Sequence, residues 1–166
     1  MIYLLDTNVL IDANRDYYPI SRVPEFWEWL VDCGLNGHVK IPLEFFEEIK
    51  EGNDDLAAWV KQDEVKEALL LDTEVDVSVV SQVIDDGYAS DLTDVEVEKI
   101  GRDPFLVAHA LHHSEERCVV TTEVSRPSKQ RANRHLPDIC KYFGIKSLNT
   151  FEFIRALNFT TNWKNL

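Results

Sequence analysis

Cysteine is scarce in this sequence and does not pair: Cys33, Cys118 and Cys140 are an odd set, widely separated, with no Cys-x-x-Cys. Disulfide scaffolds and zinc ribbons need closely spaced thiols, so these three read as reduced cysteines of the kind a cytoplasm keeps. Long apolar runs are missing too, and none reaches the roughly 20 residues that a membrane-spanning helix requires. The opening Met1-Ile2-Tyr3-Leu4-Leu5-Asp6 has no basic stretch and meets an acid at once, so no secretory signal is expected. Repeats, low-complexity tracts and linkers are absent. A length of 166 residues suits one domain over residues 1–166.

Positive charge is the other shortage. Lys and Arg number 17 against 30 Asp and Glu, a net charge of −13. Taken alone, that opposes a non-specific nucleic-acid binder, whose affinity comes from neutralising phosphates. The charge is uneven, however. Residues 44–98 carry 18 acids and 3 bases, whereas residues 99–166 carry 6 acids and 11 bases. Arg126, Lys129, Arg131 and Arg134 fall in one short stretch, which reads either as a solvated loop or as a nucleic-acid contact.

What is present is a series of short apolar runs separated by helical patterns. Ile2 to Leu5 fits a buried parallel strand, and Asp6-Thr7-Asn8 after it favours a helix start, with a helix over Val9 to Asn14. Pro24 opens a helix carrying Phe26, Trp29 and Leu30 on one face. Val39 to Ile41 is a second strand, and Leu43 to Gly52 and Leu56 to Lys61 are helices. Val65 to Leu71 is ambiguous by periodicity. Ser78 to Ile84 reads as a helix ended by Asp85-Asp86-Gly87, and Thr93-x-x-Glu96 is a capping box. Asp103-Pro104 predicts a helix with Asp103 as its N-cap, running from Phe105 to about His113. Cys118 to Thr121 is a third strand, Leu136 to Phe143 a helix, Ile145 to Leu148 a last strand and Phe151 to Leu157 a final helix. Strands alternating with helices predict a layered α/β fold with a mainly parallel sheet.

In such sheets ligands gather beyond the carboxyl ends of the strands. Asp6 ends the first strand, Glu123 follows the third, Asp103 leads the helix before that strand, and Glu48 lies in the helix after the second. Four carboxylates meeting there would repel one another unless a cation lay among them, and Mg²⁺ or Mn²⁺ is the hard cation such oxygens suit. Bland readings compete. Asp103 serves as a simple cap, Glu48 is one of a run with Glu44, Glu47 and Glu51, and Asp138 is a nearby alternative to Glu123. His109 and His113 have metal-pair spacing but lack a completing Glu or Cys, so they read as structural. Trp27, Trp29 and Trp59 read as core or interface rather than base-stacking platforms.

The segment Leu4-Leu5-Asp6-Thr7-Asn8-Val9-Leu10-Ile11-Asp12 resembles the opening strand and helix of PIN-domain proteins. Ile41-Pro42 with Glu48-Ile49, Asp103-Pro104-Phe105-Leu106-Val107-Ala108 and Val119-Val120-Thr121-Thr122-Glu123 resemble the family's second, third and fourth acidic positions. The resemblance implies a PIN-like, Rossmann-like α/β/α sandwich and Mg²⁺- or Mn²⁺-dependent cleavage of single-stranded RNA. Asp6, Glu48, Asp103 and Glu123 would be the metal ligands and catalytic set, with Asn8 and Thr121 orienting them from behind. Many small members, similar to VapC-type toxins, act in toxin–antitoxin pairs and dimerise, so an antitoxin and a homodimer are implied partners. The apolar helix from Phe26 to Val31 is one candidate surface for either. In the family the fourth acid is more usually Asp, so the part played by Glu123 stands apart. The acidic stretch between Leu71 and Lys99 is also longer than a minimal toxin needs. Two other functions fit the same opening strand: a phosphatase or phosphotransferase with Asp6 as nucleophile, and a non-catalytic PIN-like scaffold.

Overall fold

The computed structural model describes residues 1–165. Five parallel strands form the central sheet, in the order β3-β2-β1-β4-β5. They are β1 (Ile2–Leu5), β2 (Val39–Pro42), β3 (Leu70–Leu71), β4 (Arg117–Val120) and β5 (Lys146–Leu148). In the centre, Leu4 pairs with Lys40 on one side and Val119 on the other. Leu4, Leu5, Ile41, Val119 and Val120 are fully buried, as continuous apolar strands require when both faces are covered.

Among the described residues ten α-helices accompany the sheet: α1 (Thr7–Asp12), α2 (Pro24–Leu35), α3 (Leu43–Lys50), α4 (Asp55–Val60), α5 (Asp63–Leu69), α6 (Val77–Gln82), α7 (Asp94–Ile100), α8 (Asp103–Leu111), α9 (Leu136–Tyr142) and α10 (Thr150–Ala156). The helices α2 and α5 pack on each other and against β2, while α6 and α9 pack on α8, which lies on β4. The result is the three-layer, Rossmann-like α/β/α arrangement expected from the alternating pattern. Gly34 makes the α2–α5 contact possible, since a Cβ there would sit 2.6 Å from Leu69 Cδ2 and 2.7 Å from the Ala68 carbonyl. The ambiguous stretch over Val65 to Leu71 divides between the end of α5 and the short β3.

The apolar face of α2 is consumed internally. Phe26 stacks on Tyr18 with ring centroids 4.6 Å apart, Trp27 meets Trp59 edge-on, and Phe26, Trp27, Trp29 and Leu30 are all buried. That corrects the expectation of a free docking helix over Phe26 to Val31. It bears out the reading of the tryptophans as core. His109 is likewise buried, its Nε2 3.2 Å from Glu44 Oε2, in a structural role. Among the described residues no helix is long and apolar enough to cross a membrane.

The strand order reverses between β1 and β4. The chain adds β2 and β3 on one side of β1, then returns to place β4 on the other. Loops leaving the carboxyl ends of β1 and β4 therefore diverge and open a crevice between them, the usual ligand position in an open parallel sheet.

Candidate metal centre

Asp6 stands at that crevice as the N-cap of α1, its Oδ1 3.4 Å from the backbone nitrogen of Asn8. From the neighbouring strand end, the Thr121 hydroxyl donates to Asp6 Oδ2 at 2.9 Å. Asp6 is buried, and burial pushes its carboxyl up to about 6; the bonds from Thr121 and Asn8 oppose that rise, while Glu123 and Glu48 add to it.

The run of glutamates on α3 is resolved by partners rather than by spacing. Glu44 pairs with His109, Glu47 with Lys50 at 3.0 Å, and Glu51 lies 3.9 Å from Arg102. Glu48 is the one that borders the crevice. It accepts a hydrogen bond from the Thr7 hydroxyl at 3.1 Å and lies 3.8 Å from the Arg102 guanidinium.

Asp103 differs from its sequence expectation. Gly101, at φ +52°, turns the chain after α7, and Arg102 becomes the capping residue, with no side-chain cap bond. Asp103 is thus the first residue of α8 and makes no capping interaction, which removes the simplest structural reason for an acid at this position. Burial, then the charges of Asp6, Glu123 and Glu48 in that order, push its carboxyl up to about 8.

Glu123 reaches the same crevice and is anchored there: Oε2 accepts from the Leu136 backbone nitrogen at 2.7 Å. Asp138, its rival in the sequence, does not line the cleft and accepts from the Ser125 hydroxyl and the Arg126 backbone nitrogen, at 2.5 and 2.7 Å. Those hydrogen bonds hold its carboxyl below the usual range even though burial opposes them.

Asp6, Glu48, Asp103 and Glu123 together line one cleft of about 270 Å³, with Asn8, Lys99 and Arg102 on its rim. A family profile described as Domain of unknown function (DUF4411) matches residues 3–161. The chain belongs to that family. No curated protein and no solved structure is significantly similar to it. The family match spans all four carboxylates, β4 and all but the first residue of β1.

The donor set suits a hard divalent cation. Four carboxylates, with two of them pushed up by burial and mutual repulsion, form a site whose charge a cation would relieve. Among the described residues, no three His, Cys, Asp or Glu side chains are grouped closely enough to hold an ion as they stand. The carboxylates border the cleft without closing on one point.

The basic stretch after Glu123 divides into different roles. Arg131 is engaged by the protein itself: its guanidinium meets Asp91 Oδ1 at 2.6 Å and both Glu96 oxygens at 2.8 Å. Any contact it makes with RNA would draw on a guanidinium already shared with these two acids. Arg134 donates to the carbonyls of Gly87 and Asp138, tying the loop to the π-helical turn Val83–Tyr88 that continues α6. Arg126 and Lys129 stay exposed beside a neighbouring cavity.

Several site residues were not evident from the sequence. Arg102 lies directly before Asp103 and braces α3 by donating to the Glu44 carbonyl at 2.6 Å. Lys99 reaches the rim from the last turn of α7. Tyr88 arrives because the π-helical turn carries the chain past Gly87, where a helix stop is expected from Asp85-Asp86-Gly87. Only the adjacency of Arg102 to Asp103 gave a local signal.

Proposed function

We propose that this protein is a Mg²⁺- or Mn²⁺-dependent ribonuclease of the PIN-like kind, cutting phosphodiesters of single-stranded RNA. The observation that carries the reading is the assembly of Asp6, Glu48, Asp103 and Glu123, from four separate segments, around one cleft at the β1–β4 switch point. Burial pushes Asp6 and Asp103 above the ordinary carboxylate range, and the charges of neighbouring carboxylates add to the rise. Such perturbation in a crevice marks functional sites more than structural ones.

Asp6 and Asp103 are the principal ligands in this reading, and Glu48 and Glu123 complete the set. When bound, the cation supplies a reactive water near neutral pH and a positive charge against the phosphodiester. The chain's own residues prepare for it. Thr121 fixes the orientation of Asp6 and favours its ionised form, and Thr7 does the same positioning for Glu48. The Leu136 backbone fixes Glu123. Arg102, beside Glu48, holds positive charge on the rim where an anionic strand must approach. No Cys or Ser nucleophile with an adjacent base is needed for this chemistry.

The preference for RNA rests on the resemblance of the opening motif to PIN domains. So does the idea that the protein is the toxin of a toxin–antitoxin pair. Growth arrest on expression, relieved by Asp6→Asn, would support the toxin reading, and unimpeded growth with an active nuclease would remove it.

The deciding experiment is cleavage of a labelled single-stranded RNA pool in Mg²⁺, Mn²⁺ or EDTA, with wild type and Asp6→Asn in parallel. Metal-dependent cutting that disappears in the variant is the expected result. Cutting that survives EDTA, or survives in Asp6→Asn, would overturn the mechanism.

A further inference from the structure

A second cavity, of about 260 Å³, adjoins the carboxylate cleft and shares Lys99, Ile100, Asp103 and Glu123 with it. Its remaining wall is basic, with Arg126, Lys129, Arg134 and His135. Two buried polar atoms there have no hydrogen-bond partner, the Tyr88 hydroxyl and His135 Nδ1. Tyr88 is 7% exposed, so its hydroxyl has no recourse to bulk solvent. Tyr88 lines this cavity together with Asp103 and Glu123, which also border the carboxylate cleft. His135 Nδ1 lies 3.7 Å from Glu123 Oε2, too far for a hydrogen bond. Folded proteins rarely leave buried hydroxyls and ring nitrogens unpaired, and those that persist commonly meet a ligand, ion or water.

We infer that this cavity is a phosphate subsite, which seats a phosphate group of a nucleic-acid strand beside the phosphodiester over the carboxylate cleft, with Tyr88, Lys99 and Arg126 as donors. Its role in positioning a substrate rests on the ribonuclease reading, whereas its affinity for phosphate does not. The chemistry of the wall favours an anion of this type. A phosphate offers several acceptor oxygens, which a neutral hydroxyl donor, an ammonium and a guanidinium fork can share. A carboxylate-lined floor alone would repel it, and Lys99, common to both cavities and held by Asn133 Oδ1 at 2.5 Å, sets a positive charge beside that floor. The π-helical turn Val83–Tyr88 is the device that delivers the hydroxyl, and Arg134 pins that turn through the Gly87 carbonyl. The group seated is either an internal phosphodiester or the terminal phosphate of a strand; both present the same oxygens.

The test is fluorescence anisotropy of a single-stranded RNA octamer labelled at its 3′ end, in EDTA so that nothing is cut. The octamer carries either a 5′-phosphate or a 5′-hydroxyl, and inorganic phosphate serves as competitor. Tyr88→Phe should weaken binding about tenfold, the effect of one hydrogen bond to a charged group. Its thermal midpoint should hold or rise, because the change deletes an unpartnered hydroxyl. Lys99→Gln combined with Arg126→Gln should weaken binding further and flatten the log–log salt dependence by about 0.7 for each phosphate no longer neutralised. Lys164→Gln, which removes a cation lining a separate cavity beside Trp27 and Trp59, should bind as wild type. A preference for the 5′-phosphate would assign the subsite to a strand end, and equal affinity to an internal phosphodiester. The inference is overturned if wild type does not bind, if Tyr88→Phe and the double variant bind normally, or if Lys164→Gln loses as much as they do. Residue-dependent binding without cleavage in Mg²⁺ or Mn²⁺ would keep the subsite and remove the nuclease. Metal-dependent cleavage with a KM indifferent to Tyr88→Phe would do the opposite.

Discussion

The Thr121 hydroxyl donates to Asp6 Oδ2 at 2.9 Å, joining the ends of β4 and β1 across 115 residues of sequence. The bond favours the ionised carboxylate and works against the burial that pushes Asp6 up to about 6. Thr121→Val keeps the shape and deletes the donor, so the Asp6 carboxyl should titrate at still higher pH. The acid limb of the pH–rate profile should move upward with it, and affinity for Mn²⁺ should fall about 10- to 100-fold, the usual effect of losing a group that supports a ligand. Thr121→Ser should restore both. A profile that Val leaves in place would separate Thr121 from the charge state of Asp6.

Asp103 links stability to pH. Its folded value of about 8 exceeds the ordinary 3.8, so between those values the folded protein binds more protons than the unfolded chain. Stability without metal therefore falls as pH rises through that window. Asp6, at about 6, contributes in the same direction. In EDTA at pH 8, Asp103→Asn should melt several degrees above wild type, since about 1 kcal/mol moves the midpoint of a domain this size by about 2–4 °C. The gap should close by pH 4. A variant less stable than wild type at pH 8 would contradict the burial and repulsion assigned to Asp103.

Divalent cations should reverse that cost. Binding only to the folded state stabilises it by about 2.7 kcal/mol at a free concentration a hundred times Kd. Mg²⁺ or Mn²⁺ should thus raise the melting temperature by several degrees at pH 8, much less at pH 5, where the ligands hold protons. Asp6→Asn should lose the response. Differential scanning fluorimetry across pH and metal concentration checks this, and an equal response in wild type and variant would place the cation elsewhere.

Arg131 holds the loop that crosses the second cavity. The residue sits at φ +53°, where side chains rarely lie, and its guanidinium clasps Asp91 and Glu96. Arg131→Ala should leave direct RNA contacts in place but loosen residues 123–134. The measurement is limited proteolysis, with faster cleavage in this loop expected and the core fragments intact. An unchanged digestion pattern would show that the ion pairs do not hold the loop.

Much of the architecture was legible along the chain. The apolar runs at β1, β2, β4 and β5, the Pro24 helix start and the Thr93–Glu96 capping box all follow from period and local chemistry, and the capping box forms in both directions. The strand-end position of Asp6 was visible for the same reason. Local spacing stops at choices among equals. Glu44, Glu47, Glu48 and Glu51 share one short helix and its end; Glu44 is taken by His109 and Glu47 by Lys50, and of the two beside Arg102 only Glu48 lines the cleft.

The sequence by itself determined the elements, the parallel sheet and an acidic strand end, because each depends on neighbours within a few residues. Three outcomes required the tertiary structure. Asp103 is freed from capping because Gly101 turns the chain one residue earlier. Arg131 is taken up by the protein itself because Asp91 and Glu96, 40 and 35 residues away, lie beside it. Tyr88 reaches the second cavity because a π-helical turn outruns the Gly87 stop. The Arg131 contacts join groups that local periodicity cannot relate, and the turns at Gly101 and Val83–Tyr88 are backbone geometries that residue preferences alone do not distinguish from a cap at Asp103 and a stop at Gly87.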